Sequence, residues 1–467
     1  MAGIAHLVDF GSTFTKVVVV DLERPAILGQ AQHPSTVDTD VTIGLERALE
    51  EASAFSDAPV RLRLASSSAR GGLRMVAVGL VPALTAEAAR QAALGAGAKV
   101  IRVFSHELTA ADVAEIEALR PDLLLLAGGT DGGNRAVVTH NADAVARSRV
   151  DAPVIVACNR VASDAVVARL SASGKRCYPT ANVLPELDRL DVEPARAVIR
   201  DAFVRHIVEA KGLDRAISRV DDIVMPTPAA VMDAATLLAH GTDDEPGWGD
   251  LMVVDVGGAT TDVHSVSSAP PGQGLVPRGL PEPDAKRTVE GDLGVRVNAH
   301  SVAELAHLHE LRADLAQALR APAAKARCDH LAANTGALAS SGEESALDVV
   351  LGAACVDIAV ERHVGHVRET YSTQGTVQLL HGKDLRAVKA LVGVGGVFAF
   401  GPRPAEVLRA ALARAELPHS MRPETPALYH DARYVFYAMG LLARREPALA
   451  LRLLKATLVP HGSAPAN

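Results

Sequence analysis

One short pattern occurs twice in this chain: Val8-Asp9-Phe10-Gly11-Ser12-Thr13-Phe14-Thr15-Lys16 near the start, and Val254-Asp255-Val256-Gly257-Gly258-Ala259-Thr260-Thr261-Asp262 past the middle. Each copy ends an apolar run with an Asp, turns on Gly, offers hydroxyls and enters a second apolar run, Val17 to Val20 or Val263 to Val266. A chain that repeats a strand-turn-strand unit at this separation is expected to fold as two similar halves. Gly turns expose backbone N–H groups as a concave donor nest, and Ser or Thr hydroxyls add donors around it. Two such turns at equivalent places in a repeated topology point to a polyphosphate gripped between the halves; either alone is equally read as a tight turn.

At 467 residues the chain exceeds the size at which one core stops growing, so two or more domains are expected. Apolar residues make up 48% and charged residues 22%, a balance that excludes disorder as the default. Aromatics at 3% leave few stacking platforms for bases, and a net charge of −8 without a basic stripe argues against nucleic acid as a partner. Cys158, Cys177, Cys328 and Cys355 stand singly, without the close pairs of a zinc or iron-sulfur site, and suit reduced, buried thiols in a cytoplasmic protein. No basic leader precedes the first strand-like run. The most apolar helical region, Val435 to Leu454, is interrupted by Arg444, Arg445, Glu446 and Pro447, so no membrane span is expected.

Ile4–Val8 and Val17–Leu22 read as an antiparallel hairpin and Val41–Phe55 as a helix. Val60–Ser66 and Leu73–Leu80 read as strands around a turn at Arg70-Gly71-Gly72. From Thr85 the texture alternates: an Ala-rich helix to Leu94, strand Lys99–Phe104, helix Asp112–Leu119, strand Leu123–Ala127, strand Pro153–Ala157 and helix Ser163–Ser171. This is the signature of a mostly parallel sheet covered on both faces. Val192–Lys211 and Pro228–His240 are helical, and the polar stretch Gly241–Gly249 is the expected linker. Ala269–Arg287 reads as irregular, Ala299–Leu319, Leu347–Val364 and Ala405–Ala415 as helical, and Val377–Leu380 and Ala390–Val394 as strands. The expected domains are 1–245, 246–430 and a helical segment and tail at 431–467.

Asp9 and Asp255 each adjoin a turn. One carboxylate repels phosphate, but two converging carboxylates hold Mg²⁺ through its waters, and the ion bridges phosphate oxygens. Gly11, Ser12, Thr13, Gly257, Gly258, Thr260 and Thr261 supply the turns and their hydroxyls. Lys16 is placed to neutralise a β- or γ-phosphate, or is a solvated strand lysine; Asp262 positions water or caps backbone donors.

Three more loops are candidates. Leu124-Leu125-Leu126-Ala127-Gly128-Gly129-Thr130-Asp131 ends a strand where ligands favour open α/β sheets, so Gly128 and Gly129 border a cleft or form a surface turn. Gly395 and Gly396, ending the strand at Val394, allow a flat ring such as adenine to lie on backbone. Glu290, in Arg287-Thr288-Val289-Glu290-Gly291-Asp292, is placed to orient an attacking water or to cap a helix. His300, His307 and His309 lack a ligand pattern for metal.

These residues resemble the actin/Hsp70/sugar-kinase ATPase superfamily: Val8–Lys16 its first phosphate loop, Leu251–Asp262 its second, Leu391–Val397 its adenosine-contacting segment. Asp9 to Lys16, closing with Asp21, also resembles the activator ATPases of acyl-CoA dehydratases, whose cysteines hold an iron-sulfur cluster; the unpaired cysteines here depart from that pattern. Over nearly its whole length the chain resembles the glutamate mutase MutL family, unrelated to mismatch-repair MutL, through Asp9–Lys16, Asp40–Leu45, Ala127–Asn134, Asp255–Asp262, Thr288–Arg296 and Gly393–Gly396. The resemblance implies an α/β fold of two RNase H-like, actin-like ATPase lobes flanking a nucleotide cleft, with ATP and Mg²⁺ as cofactors. It further implies a chaperone-like, slow ATPase that reactivates an adenosylcobalamin-dependent mutase or aminomutase. A small-molecule kinase of the same fold, with Asp131 or Glu290 as base, and a non-hydrolysing nucleotide-binding scaffold are the competing readings.

Overall fold

In the computed structural model, which describes residues 3–11, 14–34, 41–67, 73–187, 189–210, 222–308, 310–372 and 375–463, the apolar runs around the first Gly turn form a buried hairpin. The chain divides into two units, Met1–Ala230 with Gly279–Pro283, and Val231–Arg278 with Asp284–Asn467. In chain order the first unit has β1 (Ile4–Phe10), β2 (Phe14–Asp21), β3 (Ala26–Pro34), β4 (Val60–Ser67), β5 (Leu73–Gly79), β6 (Ala98–Ser105), β7 (Leu123–Leu126), β8 (Val154–Val156), β9 (Cys177–Pro179) and β10 (Asp222–Pro226). The second has β11 (Leu251–Val256), β12 (Thr261–Val266), β13 (Leu275–Arg278), β14 (Ala285–Glu290), β15 (His366–Ser372), β16 (Gly375–His381), β17 (Ala390–Val394), β18 (Ala427–Asp431) and β19 (Leu458–Ser463).

The repeat seen in the two hairpins extends to whole sheets. In the first unit one sheet runs β3-β2-β1-β4-β10, with β2 antiparallel to both β1 and β3, and β1, β4 and β10 parallel. In the second the order is β14-β12-β11-β17-β18-β19, with β12 antiparallel to β11 and β14, and β11, β17 and β18 parallel. Only β19, antiparallel to β18, is added at the edge. Three antiparallel strands followed by two parallel ones in the order 3-2-1-4-5 is the RNase H-like arrangement, and each unit carries it once. Both halves of the expected fold are therefore present.

The first unit holds a second, all-parallel sheet in the order β6-β5-β7-β8-β9. Its central strands β5, β7 and β8 are buried on both faces, as helix-covered parallel strands must be, while the edge strands β6 and β9 are partly exposed. Met75, Ala77, Leu123 and Leu125 join a core with Val8, Phe10, Val17 and Val19 of the first sheet, and the small side chains of Ala88, Ala89, Ala92 and Ala93 fill the space between. Val76, Val78, Leu124 and Leu126 point to the opposite core, against the helices Ala136–Arg147 and Arg160–Ala172. The period of two in these runs assigns alternate residues to the two cores.

In the second unit the 22-residue helix Gly342–His363 lies across the sheet. Ser341 caps it, accepting the Glu344 N–H, and Glu343 and Glu344 sit in the first turn, where the helix dipole favours anions. Its buried face, including Val349, Leu351, Val356 and Val360, packs with Met252, Val254 and Val256 of β11. A small sheet, β13-β16-β15, packs around Val367, Leu380 and Met421.

β4 and β5 are strands as expected and belong to different sheets; the expected turn between them at Arg70-Gly71-Gly72 lies outside the described residues. Several expectations need correction. Ala269–Arg287 is not irregular throughout, since it contains β13 and the start of β14. β14 reads Ala-Lys-Arg-Thr-Val-Glu and escapes a hydrophobicity reading because its charges are neutralised by neighbouring strands and helices. Ala299–Leu319 is broken into helices Ala299–Glu304 and Ala313–Leu319, with a 3-10 turn after the first. The helix expected over Ala405–Ala415 spans Pro404–Arg409. Among the described residues no helix is long and apolar enough to cross a membrane.

Candidate functional site

Asp9 is the penultimate residue of β1, and Asp255 the penultimate residue of β11. Two residues on, each turn is closed by the same bond: Gly11 N–H donates to the Phe14 carbonyl at 3.1 Å, and Gly257 N–H to the Thr260 carbonyl at 2.9 Å. The equivalence therefore reaches single hydrogen bonds. A Cβ on Gly11 would lie 2.5 Å from the Phe14 carbonyl oxygen and 3.6 Å from Asp9 Oδ2, so the turn admits no side chain. Ser12 and Thr13, expected to add hydroxyls here, lie outside the described residues.

Asp9 is 3% exposed and closely held. Its Oδ1 accepts from Ser66 Oγ at 3.1 Å and from Thr227 Oγ1 at 2.6 Å, while Lys16 Nζ stands 3.5 Å from Oδ2. Lys16 faces Asp9 directly across the β1–β2 pair, and Ser66 faces it across the parallel β1–β4 pair. Lys16 is thus an ion-pair partner of the first Asp rather than a solvated strand lysine.

The second copy differs at the cross-strand position. Asp255 faces Asp262 on β12, and Asp262 is in turn met from β14 by Arg287, whose Nε donates to Oδ1 at 2.7 Å. The two side chains are 9% and 3% exposed, so this is a buried ion pair. Thr260 Oγ1 donates to Asp262 Oδ2 at 3.3 Å. Thr261 departs from the expectation: it is fully buried, and its hydroxyl donates to the Leu293 carbonyl at 2.9 Å, so it supports the turn from behind. The carbonyls of Gly257 and Gly258 accept from the amides of Val295, Arg296 and Val297, and Asn298 Nδ2 ties the Ala259 and Gly291 carbonyls at 2.6 and 2.8 Å.

Gly395 comes to the same place. Its φ is +101°, and a Cβ there would lie 2.4 Å from the Val256 carbonyl oxygen and 2.9 Å from Asp255 Oδ1. The glycine is required by close approach of β17 to the second hairpin. Gly396 is open, its nearest neighbour being Phe400 Cδ2 at 4.0 Å.

Glu290 closes β14, opposite Thr261. Arg362, in the last turn of the helix Gly342–His363, donates to Glu290 Oε2 at 2.6 Å and to Asp292 Oδ1 at 3.2 Å. Burial raises the Glu290 carboxyl above the ordinary range, Arg362 opposes the shift, and Asp292 and Asp262 add to it. A carboxyl shifted upward is a better proton acceptor at neutral pH. It ends a strand and caps no helix.

Gly128 and Gly129 follow β7 with φ of +150° and +73°. Their loop is fastened by two buried amides. Asn159 accepts from Gly132 N–H and donates to the Gly133 and Asn134 carbonyls, and Asn182 donates to the Gly129 carbonyl and to Asp131 Oδ1. Asp131 also accepts the Arg160 N–H at 2.9 Å, which commits that oxygen to the loop. The loop is a braced structure and not a floppy turn.

Carboxylates at strand ends beside side-chain-free turns suit a hard cation that keeps its waters and phosphate oxygens as its other ligands. Asp9 in the first unit and Asp255 in the second are each such a carboxylate, so each hairpin by itself has donor chemistry that fits Mg²⁺. No group of three or more His, Cys, Asp or Glu side chains is assembled for metal among the described residues. The four thiols are free; burial pushes Cys158 and Cys355 up to about 12 and Cys328 to about 11, so none is a thiolate at neutral pH.

Sequence reasoning missed Ser66, Thr227, Arg287 and Arg362 as partners of the acidic residues. Ser66-Ser67 at the end of a strand and Pro226-Thr227-Pro228 at a strand-to-helix junction were the available signals for the first two. Arg287 and Arg362 carried none, because their partners are distant in sequence.

Comparison with known proteins bears on the whole chain. A solved nucleotide-free acetone carboxylase covers 95% of it and is covered over 70% of its own length, at 14% identity and a TM-score of 0.44. The xylulose kinase from Bifidobacterium adolescentis covers 100% and is covered over 97%, at 13% identity and a TM-score of 0.34. The strand orders above, and not these remote likenesses, define the fold. Protein MutL of Clostridium tetanomorphum is 45% identical over 458 residues, 97% of this chain and 98% of that protein. The family described as MutL protein matches residues 5–458, and the chain therefore belongs to the glutamate mutase-type MutL family.

Proposed function

We propose that this protein binds Mg-ATP through its two Asp-Gly hairpins, hydrolyses it slowly, and uses the cycle to reactivate an adenosylcobalamin-dependent mutase or aminomutase. The observation that carries the nucleotide reading is the repetition of one hairpin, with its Asp and its Gly N–H to carbonyl closure, on the first two strands of the same sheet in each unit. The client follows from family membership alone.

In this reading Asp9 and Asp255 hold the cation, which neutralises phosphate charge when bound. Gly11 and Gly257, whose N–H groups close the turns, make room for phosphate by carrying no side chain, while Gly258 and Thr260, with the hydroxyls expected of Ser12 and Thr13, would donate to phosphate oxygens. Lys16 lies beside Asp9, and its ammonium would supply a positive charge to a phosphate at the turn. Gly395 and Gly396 form the floor for the base, Gly128 and Gly129 border the nucleotide, and Glu290 accepts a proton from the attacking water. Loss of the γ-phosphate removes donors' common target and frees each hairpin, the kind of two-state element that a partner can bias.

Calorimetric titration with ATP and Mg²⁺, followed by ADP release with and without an oxygen-inactivated cobalamin mutase, tests this. Expected are Mg²⁺-dependent binding lost in Asp9→Asn and Asp255→Asn, slow basal turnover, and acceleration by the inactivated mutase. Binding without turnover or stimulation supports the scaffold instead. Phosphorylation of a small metabolite supports the kinase, and absence of binding ends the proposal altogether.

A further inference from the structure

We propose that Thr227 is a positioning residue for Asp9, fixing its carboxylate so that Oδ2 is presented at the first hairpin turn to a divalent cation. This rests on the Mg-nucleotide reading and adds to it a residue from the other end of the first unit, 218 positions away in sequence.

Three adjacent parallel strands assemble the contact. Asp9 of β1 stands opposite Ser66 of β4, and Ser66 stands opposite Met225 of β10. Thr227 follows two residues later, as the first residue of the helix Thr227–His240. Its hydroxyl donates at 2.6 Å to the same oxygen, Oδ1, that accepts from Ser66 at 3.1 Å. Oδ2 is on the other side: Lys16 Nζ is 3.5 Å from it, and the position a Gly11 side chain would take is 3.6 Å away. Two hydroxyls on one oxygen remove the rotational freedom of the carboxylate and leave the second oxygen aimed at the turn. A hydroxyl bonded to an ionised acceptor is stronger than a neutral pair, so the restraint is substantial.

The junction is stiff. Thr227 is β-branched and stands between Pro226 and Pro228, whose rings restrict the backbone on either side. The helix it opens runs past Ala230, where the main segment of the first unit ends. The residue that aims the carboxylate therefore belongs to the segment that carries the chain out of that unit.

The test is Mn²⁺ affinity, read by the loss of the free-ion electron paramagnetic resonance signal in the presence of ADP, on the full chain. Hydroxyl or amide partners of metal-binding carboxylates commonly change metal affinity by about 10–100-fold when removed. Thr227→Val is expected to weaken Mn²⁺ by about tenfold or more, with metal-free ADP affinity unchanged and Thr227→Ser restoring most of the loss. Where Val disturbs folding by circular dichroism, Thr227→Ala carries the same expectation. Unchanged Mn²⁺ affinity in a folded Thr227 variant, while Asp9→Asn loses it, overturns the role of Thr227. Unchanged affinity in Asp9→Asn as well overturns the site itself.

Discussion

Arg287→Met removes one half of the ion pair behind the second hairpin, and its effect follows from burial. The guanidinium reaches Asp262 Oδ1 through Nε at 2.7 Å and Nη2 at 2.5 Å, with 3% and 9% of the two side chains exposed. At such contact the gross attraction is roughly 5 kcal/mol for an effective dielectric near 20, which desolvation of both groups largely offsets. Removing only the cation leaves the other charge buried without compensation, and losses of about 3–5 kcal/mol are typical. For a unit of this size each kcal/mol moves the melting midpoint by about 2–4 °C, so scanning calorimetry should show the transition of the second unit lowered by roughly 6–20 °C. The companion Asp262→Leu/Arg287→Met removes both charges, keeps the volume apolar, and should recover most of the loss. A single variant that melts within about 2 °C of the parent, or a double variant no better than the single, would refute the reasoning.

Gly395→Ala forces a side chain into a backbone at φ +101° and onto the Val256 carbonyl oxygen at 2.4 Å. It should cost about 1–3 kcal/mol in a melt and weaken Mg-ATP in titration, because the displaced group is the Asp255 strand. Thr261→Val leaves the buried Leu293 carbonyl without its hydroxyl donor, for a loss of about 1–3 kcal/mol, with nucleotide affinity unchanged because that hydroxyl faces inward. Burial raises the Asp431 carboxyl from 3.8 to about 6, against backbone N–H bonds from Phe436, Val435 and Arg433. The folded state therefore binds its proton more tightly than the unfolded state; that contribution is complete below about 3.8 and is lost as pH rises through about 6. Urea unfolding of Asp431→Asn should lack this fall, on the order of 3 kcal/mol between pH 4 and 7.

What was legible in the sequence was what local chemistry determines. Asp9, Gly11, Asp255 and Gly257 announce themselves because a Gly turn between two apolar runs admits few folds, and the central parallel strands Leu73–Gly79, Leu123–Leu126 and Val154–Val156 read as near-continuous apolar runs because both of their faces are covered. What stayed hidden depends on partners remote in sequence. β14 carries Lys286, Arg287 and Glu290 and still lies in a sheet, because Asp262 and Arg362 meet its charges. β10 and β18, which start at Asp222 and Ala427, join their sheets 218 and 176 residues after the starts of β1 at Ile4 and β11 at Leu251, so no period near β1 or β11 points to them. Thr261 looked like a ligand donor beside Thr260, but it opens β12 with its side chain buried on the Leu293 carbonyl, while Thr260 stays in the turn.

The two hairpins share a backbone and differ in how each balances its Asp. Across the first strand pair stands Lys16, a cation on a flexible stem that can leave Asp9 at little expense, since it is 18% exposed and water is at hand. Across the second stands Asp262, a carboxylate fixed by the buried guanidinium of Arg287. The first site is therefore adjustable at its ion pair and rigid at its hydroxyls, where Ser66 and Thr227 grip Oδ1. The second is held at its buried ion pair, with Gly395 packed against its turn. A duplicated element has kept one turn geometry while balancing its Asp differently in each copy, by a partly exposed lysine in the first and a buried carboxylate–guanidinium pair behind the second, so under the proposed Mg-ATP reading the first hairpin is the one whose ion pair a cation would exchange with.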